Sequence, residues 1–512
     1  MAVIDFFDRG WRMNPTAVAY RGEDEEWTYD QAYRNSCQVA HALMGAGVVK
    51  QTKVAVLSPN SIRAWLCVLG IWRAGAAWVP LNPASPAADN AALVERFDVE
   101  VLLYHPKLAE AAVHIRQTIG RPLTCLSFAD SDSWLDGQPD TPPAVSYHMD
   151  DVVSVTATGG TTGQPKGVMN THRSFGVMVA HQILAMSYAE GERAVNLAAA
   201  PLTHSAGALT LQATARGGSV VIIPKASPEG VLDAVERYGV TEVFLPPTVI
   251  YRLLDELETR PVDTSSLRYL LYGAAPMSLE KLREGIRRLG PVFLEVYGQT
   301  EAPAAISFMR PSEHLADGDI ASDERLGSCG RPYPLVSVAI KDVHTAEPVA
   351  HGASGEICVG GDLLMKGYYK DPEQTAATIR DGWLHTGDIG HLDAEGYLHI
   401  TDRKKDMIIS GGFNVYPSEV EQVIWGHPAV ADCAVVGAPD AEWGERVTAV
   451  VELKSGLEVT VEEIKQRCRD ALGPIRSPKE VLFVPQLPRS VNGKVLRKDV
   501  RAQFWVDRTR AL

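Results

Sequence analysis

Four short stretches of this 512-residue chain combine residue types in spacings suited to phosphate and carboxylate chemistry. The densest is 158–167, TGGTTGQPKG, with glycines at Gly159, Gly160, Gly163 and Gly167, threonines at Thr158, Thr161 and Thr162, and one lysine, Lys166. Glycines admit positive φ and let a ligand approach the main chain closely. Successive backbone N–H groups in such a loop form a concavity for an anion, and threonine hydroxyls add donors or ligate magnesium. The loop is not a P-loop of the GxxxxGK[ST] kind, because no Gly-Lys-Ser/Thr is present. The second stretch, 297–301, reads Tyr297-Gly298-Gln299-Thr300-Glu301. Its aromatic face can stack on a base and its carboxylate can hold magnesium through oxygen; a helix N-terminal turn with a dipole-favoured glutamate fits equally well. The third, 385–388, reads as a turn whose Asp388 can accept bonds from a ribose diol or simply cap the turn. In the fourth, 488–497, Lys494 follows a flexible Asn492-Gly493 turn and can reach a phosphate as a compact point charge, although most lysines are merely solvated.

These stretches need rigid elements behind them. The apolar residues Val152, Val153 and Val155 read as a buried strand feeding the glycine loop. Spacing predicts a helix over 29–44 with a Gly45-Ala46-Gly47 stop, a strand at 53–57, a helix over 62–74 and a strand at 77–81, an alternation that implies parallel α/β layers. A second α/β stretch over 217–308 has strands at 220–223, 242–245, 269–271 and 292–296, with helices over 228–238 and 279–289. Open α/β sheets bind ligands at the carboxyl ends of their strands, where 297–301 falls. From 327 to 400 the texture changes to short strands and Gly/Pro turns, a small β-rich subdomain. The charged run 402–406 interrupts the apolar pattern and sets a boundary between an N-terminal domain, 1–402, and a small α+β C-terminal domain, 403–512.

Composition narrows the classes. A hydrophobic fraction of 46% and a charged fraction of 22% are those of a soluble globular protein. The net charge of −14 argues against nucleic acid as a partner, since binding a phosphate backbone needs a basic surface. The seven cysteines are odd in number and scattered with no CxxC, which predicts reduced thiols without a zinc site or disulfide framework. Asp5 and Asp8 stand where a signal peptide would be basic and apolar. No run of 18 apolar residues occurs; the stretch 68–80 is broken by Arg73. The expectation is a cytoplasmic protein with no integral membrane segment.

Taken in order, TGGTTGQPKG (158–167), PLTHSAG (201–207), YGAAP (272–276), YGQTE (297–301), GSCGRP (327–332), HTGD (385–388), DRKKDMIISGGFNVYPSEVE (402–421) and PRSVNGK (488–494) closely resemble the motifs of the adenylate-forming superfamily: acyl-CoA synthetases, peptide-synthetase adenylation domains and luciferases. The resemblance covers essentially the whole chain and is greatest to carboxylic acid:CoA ligases. It implies a large N-terminal domain of α/β subdomains with a β-rich subdomain, then a mobile C-terminal domain. It implies MgATP and coenzyme A as co-substrates: the acid attacks the α-phosphate, acyl-adenylate forms, pyrophosphate leaves, the small domain rotates about Lys405, and a thiol displaces AMP. Gly160, Thr161, Thr162, Gly163 and Lys166 would hold the β- and γ-phosphates. Thr158 and Glu301 would contact magnesium, and Gly298 and Thr300 belong to the same nucleotide site. Tyr297 and Ala274 would flank the adenine, Asp388 the ribose with Arg403 close by. Lys494 would bridge carboxylate and α-phosphate; at about 4 Å and an effective dielectric of about 20 such a pair is worth roughly 4 kcal/mol. Gly411 and Gly412 would line the pantetheine tunnel. A homodimer is compatible with the resemblance, and oligomeric state is otherwise unmarked.

Two positions depart from the pattern. Gly159 replaces a usual Ser or Thr, and Thr203 replaces an aromatic before His204. His204, with Ser205, Ala206, Gly273, Gly298, Pro303 and Ala304, would border the acyl site; a satisfied core histidine is the plainer reading of His204. These neighbours are small, with no charged partner for a second carboxylate or an amine, so the expected acid is aryl, branched or medium-to-long aliphatic. Acetate would leave the pocket unfilled at roughly 0.8 kcal/mol per CH₂. Competing readings are an enzyme loading a free-standing carrier protein, a luciferase-like oxidase, and a non-catalytic nucleotide-binding protein.

Overall fold

A computed structural model describes residues 1–158, 165–203, 205–440, 442–489 and 495–505, with the side chains of Ser205 and Asn414 outside the description. Two large sheets organise the N-terminal part. The first runs, in spatial order, Gly367–Tyr368, Lys166–Thr171, Val152–Thr158, Ala77–Leu81, Lys53–Leu57, Val99–Tyr104, Thr124–Ser127. Its last five strands are parallel and its first two antiparallel. Ala77–Leu81 is buried along its whole length, as befits a strand covered on both faces. The second sheet runs Arg331–Pro332, Ala302–Met309, Phe293–Gln299, Tyr269–Gly273, Glu242–Phe244, Val195–Ala198, Ser219–Ile222, Val18–Arg21, Glu26–Thr28.

The helices form where the sequence places their signals. Pro228–Tyr238 starts on Ser227, whose hydroxyl accepts from Gly230 N–H, has proline in its first turn, and stops at Gly239 in the left-handed region. Leu279–Leu289 buries Leu282, Gly285 and Ile286 on one stripe. A Cβ at Gly285 would collide with the Phe293 ring, so glycine lets the helix sit directly on the strand that ends at Gln299.

Two expectations change. The segment 297–301 is not a helix start: the strand runs on through Gln299, reverses at Thr300 and Glu301, and returns as Ala302–Met309. Nor is 385–388 a turn. It lies inside the strand Trp383–Leu392, between Gly355–Gly360 and Leu398–Arg403 in a third, antiparallel sheet. Its polar groups are satisfied within that sheet: Thr386 Oγ1 donates to the Ile357 carbonyl at 2.6 Å, and Gly387 N–H to Glu356 Oε1 at 3.2 Å.

The sheet of the C-terminal part is built by Phe413–Val415, Ile408–Ser410, Gly444–Leu453, Val430–Asp440 and Glu480–Val484. Helices Pro417–Trp425 and Val461–Arg476 cover it, around a core of its own that includes Ile408, Val420, Val435, Val447 and Ile464. Among the described residues no helix is long and apolar enough to cross a membrane.

Candidate active site

Side chains alternate along a strand, so Glu295, Tyr297 and Gln299 share one face. Two of them converge on one carboxylate. The Tyr297 hydroxyl and Gln299 Nε2 each donate to Asp388 Oδ2 at 2.7 Å. Gln299 Nε2 also reaches the Thr386 carbonyl at 2.9 Å. The other oxygen, Oδ1, faces Arg403 Nε at 3.1 Å; Arg403 is the register partner of Asp388 on the adjacent strand. Asp388 is only 4% exposed, whereas the Arg403 side chain is 48% exposed. Burial pushes the Tyr297 phenol well above its ordinary value, so it is a fixed donor. Asp388 thus has one oxygen held by a buried phenol and a part-buried amide, and the other, among the described residues, covered by a half-exposed guanidinium that solvent can take back.

Glu295 stands two residues earlier, receives the Tyr272 hydroxyl at 3.0 Å, and is pushed by burial up to about 8. Tyr272 also meets His314 Nε2 at 3.0 Å.

A second cluster forms where the strand reverses. Thr158 and Lys166 are register partners at the mouth of the hairpin that carries the glycine loop. The Lys166 ammonium lies 4.9 Å from the centre of the Tyr368 ring, a cation–π contact. The Tyr368 hydroxyl donates to Glu301 Oε1 at 2.8 Å. The segment around Glu301 is clamped through its carbonyls as well. Asn170 Nδ2 reaches the Thr300 carbonyl at 3.2 Å, Met365 N–H the Glu301 carbonyl at 2.8 Å, and Gln182 Nε2 the Ala304 carbonyl at 3.2 Å. Leu335 N–H donates to His181 Nε2 at 3.1 Å, which leaves Nδ1 to donate to the Ala305 carbonyl at 3.1 Å. Burial pushes His181 down to about 4, so it stays neutral in this role.

The small residues divide by cause. A Cβ at Gly273 would strike the Val296 carbonyl oxygen, and one at Gly298 would lie 2.5 Å from Ala304 N. Both glycines are therefore required by crossing backbone, whatever ligand binds. Ala274 (φ +63°) and Ala304 (φ +48°) hold left-handed backbone without being glycine, a strain that clusters at ligand sites. Ala206 and Pro303 are buried. The helix beginning at Ser205 is described, but its side chain is not. Gly160, Thr161, Thr162, Gly163, His204 and Lys494 lie outside the described residues.

The fold brings Tyr297, Gln299, Asp388 and Arg403 into one cluster, pairs Thr158 with Lys166 at one hairpin end, and joins Lys166 to Glu301, at the reversal of another hairpin, through Tyr368. Gly411 (φ +58°) and Gly412 (φ +82°) sit exposed at the tip of a hairpin; a Cβ at Gly412 would meet nothing within 4 Å among the described residues. Lys405 is exposed in the turn after Arg403. The residues just before it are tied down. Lys404 pairs with Glu356 at 3.3 Å; Asp402 accepts Ser418 N–H at 2.8 Å and faces Arg497 at 3.2 Å, and Arg497 also pairs with Glu421. Sequence reasoning missed Gln299, Tyr368, Glu356 and Arg497. Gln299 alone carried a signal, being inside a motif already singled out; the others depend on partners far along the chain.

The profile of the AMP-binding enzyme family matches residues 7–369, and that of the AMP-binding enzyme C-terminal domain matches 419–494. The chain belongs to the AMP-binding enzyme family. Among curated relatives, this AMP-binding enzyme is 37% identical to the medium/long-chain-fatty-acid–CoA ligase FadD8 of Mycobacterium tuberculosis, over 96% of this chain and 88% of the relative. It is also 37% identical to a feruloyl-CoA synthase of an Amycolatopsis species, over 96% and 97%. Its fold matches the amide bond synthetase McbA from Marinactinospora thermotolerans with a TM-score of 0.88 at 32% identity, covering 98% of this chain and 100% of the other.

Proposed function

We propose that this AMP-binding enzyme is an ATP-dependent carboxylic acid:CoA ligase. In the first step a carboxylate oxygen attacks the α-phosphorus of ATP, the bond to the bridging oxygen breaks, and pyrophosphate leaves with its electron pair. In the second the sulfur of coenzyme A attacks the acyl carbon, the C–O bond to AMP breaks, and the thiol proton goes to solvent. The observation that carries the reading is Asp388. A carboxylate held on one oxygen by Tyr297 and Gln299, and covered on the other by a half-exposed Arg403, is built to exchange that cover for a ribose diol.

In this reading Tyr297 and Ala274 flank the adenine, and Gly298 and Thr300 complete the nucleotide site. The glycine loop, with Gly160, Thr161, Thr162, Gly163 and Lys166, holds the triphosphate, and Lys494 bridges the acid and the α-phosphate. Thr158 and Glu301 offer hard oxygen donors that suit magnesium. Glu301 has one carboxylate oxygen fixed by Tyr368 and, among the described residues, no hydrogen bond on the other. The bound ion would neutralise phosphate charge. The domain boundary falls at 402/403 with Lys405 as the hinge, since residues 402, 403 and 404 are each anchored while the exposed Lys405 has no ion pair among the described residues. Gly411 and Gly412 approach the pantetheine arm after rotation. The acid is aryl, branched or medium-to-long aliphatic, bordered by His204, Ser205, Ala206, Pro303 and Ala304; the two CoA-ligase relatives span the aliphatic and aryl classes. All seven cysteines are free thiols, which supports a reducing, cytoplasmic setting.

The test is pyrophosphate release from MgATP with acetate, octanoate, dodecanoate, benzoate and ferulate, each with and without coenzyme A. Release with a preferred acid, AMP accumulation and a thioester product are expected. Release without thioester would move the acceptor to a carrier protein or an amine. Preference for acetate in kcat/KM would overturn the acid assignment.

A further inference from the structure

The strand pair Gly367–Tyr368 and Lys166–Thr171 sets Tyr368 against the end of the glycine hairpin. Tyr368 is 6% exposed, and its two faces of chemistry are both in use. The ring lies under the Lys166 ammonium at 4.9 Å, and the hydroxyl donates to Glu301 Oε1 at 2.8 Å. Its main chain is held as well: Tyr368 N–H donates to Thr375 Oγ1 at 2.9 Å. One rigid aromatic residue therefore fixes both the lysine at the base of the glycine loop and the carboxylate at the hairpin reversal. Asn170 and Met365 hold the carbonyls on either side of that carboxylate, so only the side-chain torsions of Glu301 remain to be set. A bond to Oε1 sets them and leaves the second oxygen for a cation.

We infer that Tyr368 is a positioning residue for MgATP, holding the Glu301 carboxylate for the metal and Lys166 for the phosphates through separate parts of one side chain. This rests on the nucleotide-site reading proposed above. The two parts separate by substitution. Tyr368→Phe keeps the ring under Lys166 and removes only the bond to Glu301. Tyr368→Leu removes both.

The experiment is calorimetric titration of the full-length protein with ATP, in excess EDTA and in excess magnesium, without acid or coenzyme A. For Tyr368→Phe the affinity for metal-free ATP should stay within about twofold of the parent, while the gain on adding magnesium falls about tenfold, the order expected for one bond to a charged acceptor. Tyr368→Leu should also weaken metal-free ATP. Glu301→Gln should show the same lost gain, and adding Tyr368→Phe to it should cost little more, because the two act as a unit. Conversion of supplied acyl-adenylate and coenzyme A to thioester should be unchanged in Tyr368→Phe; a general folding defect would lower it. A Tyr368→Phe protein that keeps the full magnesium gain, or loses metal-free and magnesium-bound affinity equally, overturns the inference alone. A parent protein with no magnesium-dependent gain overturns the nucleotide-site reading together with it.

Discussion

Replacing Asp388 separates binding from stability, because its two oxygens live in different surroundings. In Asp388→Asn the amide oxygen can take the Oδ2 position and keep both the Tyr297 and Gln299 donors. The amide nitrogen then faces Arg403, whose side chain is 48% exposed and can return to water. With the guanidinium half exposed and able to rehydrate, losing its pairing costs about 0–1 kcal/mol, so unfolding free energy should fall by no more than about 1 kcal/mol. Nucleotide binding should suffer more. A neutral amide replaces a charge-assisted acceptor for a ribose hydroxyl, a difference of roughly 1.5 kcal/mol or more, and MgATP affinity should drop about tenfold or beyond. Asp388→Ala should behave differently. It leaves the Tyr297 hydroxyl without its carboxylate partner in a buried site, and unmet donors cost about 1–3 kcal/mol each. Stability should therefore fall by roughly 2–4 kcal/mol, with binding lost as well. Urea unfolding gives the first quantity and calorimetric titration the second. If Asp388→Asn is as unstable as Asp388→Ala, the two-sided account of this carboxylate is wrong. If it binds MgATP like the parent, Asp388 does not hold the ribose.

The other predictions are narrower. Lys494→Ala should abolish pyrophosphate release yet still convert supplied acyl-adenylate to thioester, and Gly412→Leu should do the reverse; equal loss of both half-reactions in folded variants would refute the two-conformation scheme. Gly298→Ala sets a Cβ 2.5 Å from backbone nitrogen, so overpacking of about 1–3 kcal/mol should appear as a lower urea midpoint even without ligand. Glu295 is pushed up to about 8, above its ordinary unfolded value, so its contribution to stability is full below about pH 4.5 and is lost as pH rises toward 8. Relative to Glu295→Gln, the parent should therefore lose roughly 2 kcal/mol between pH 5 and pH 8.5, and a constant difference across that range would show that the side chain is not held protonated.

Elements whose signals are local were legible in the chain. The helices 228–238 and 279–289 carry a Ser cap at one end and a glycine stop at the other, and they form where those residues stand. The strands 53–57 and 77–81 are short apolar runs between turns and match as written. Motif order also carried the family, since eight stretches in one sequence constrain far more than any one of them. Local reading failed where polar residues are paid for across a sheet. The stretch 385–388 looks like a turn because it holds His, Thr, Gly and Asp, and Gly387 does take φ +72° at a register shift, but the Ile357 carbonyl and the Glu356 carboxylate take up its donors and hold it as an irregularity within the strand. The reversal at Thr300 and Glu301 was hidden for a similar reason: Asn170, Gln182 and Met365 fix its carbonyls from distant segments.

The sequence by itself determined the chemistry: which residues can cradle phosphate, which can hold a cation, and that two α/β units and a smaller domain must carry them. Glycine, capping and apolar spacing act over a few residues, and the chain states them directly. Only the tertiary structure decided who holds whom. Asp388 gains its two neutral donors from a strand about 90 positions earlier, and Glu301 gains Tyr368 from 67 positions later. It also showed that a side chain at Gly273 or Gly298 would run into crossing backbone, a constraint the chain does not display locally. Such pairings depend on sheet order and register, which are set by the burial of whole layers and leave no mark at the residues they bring together.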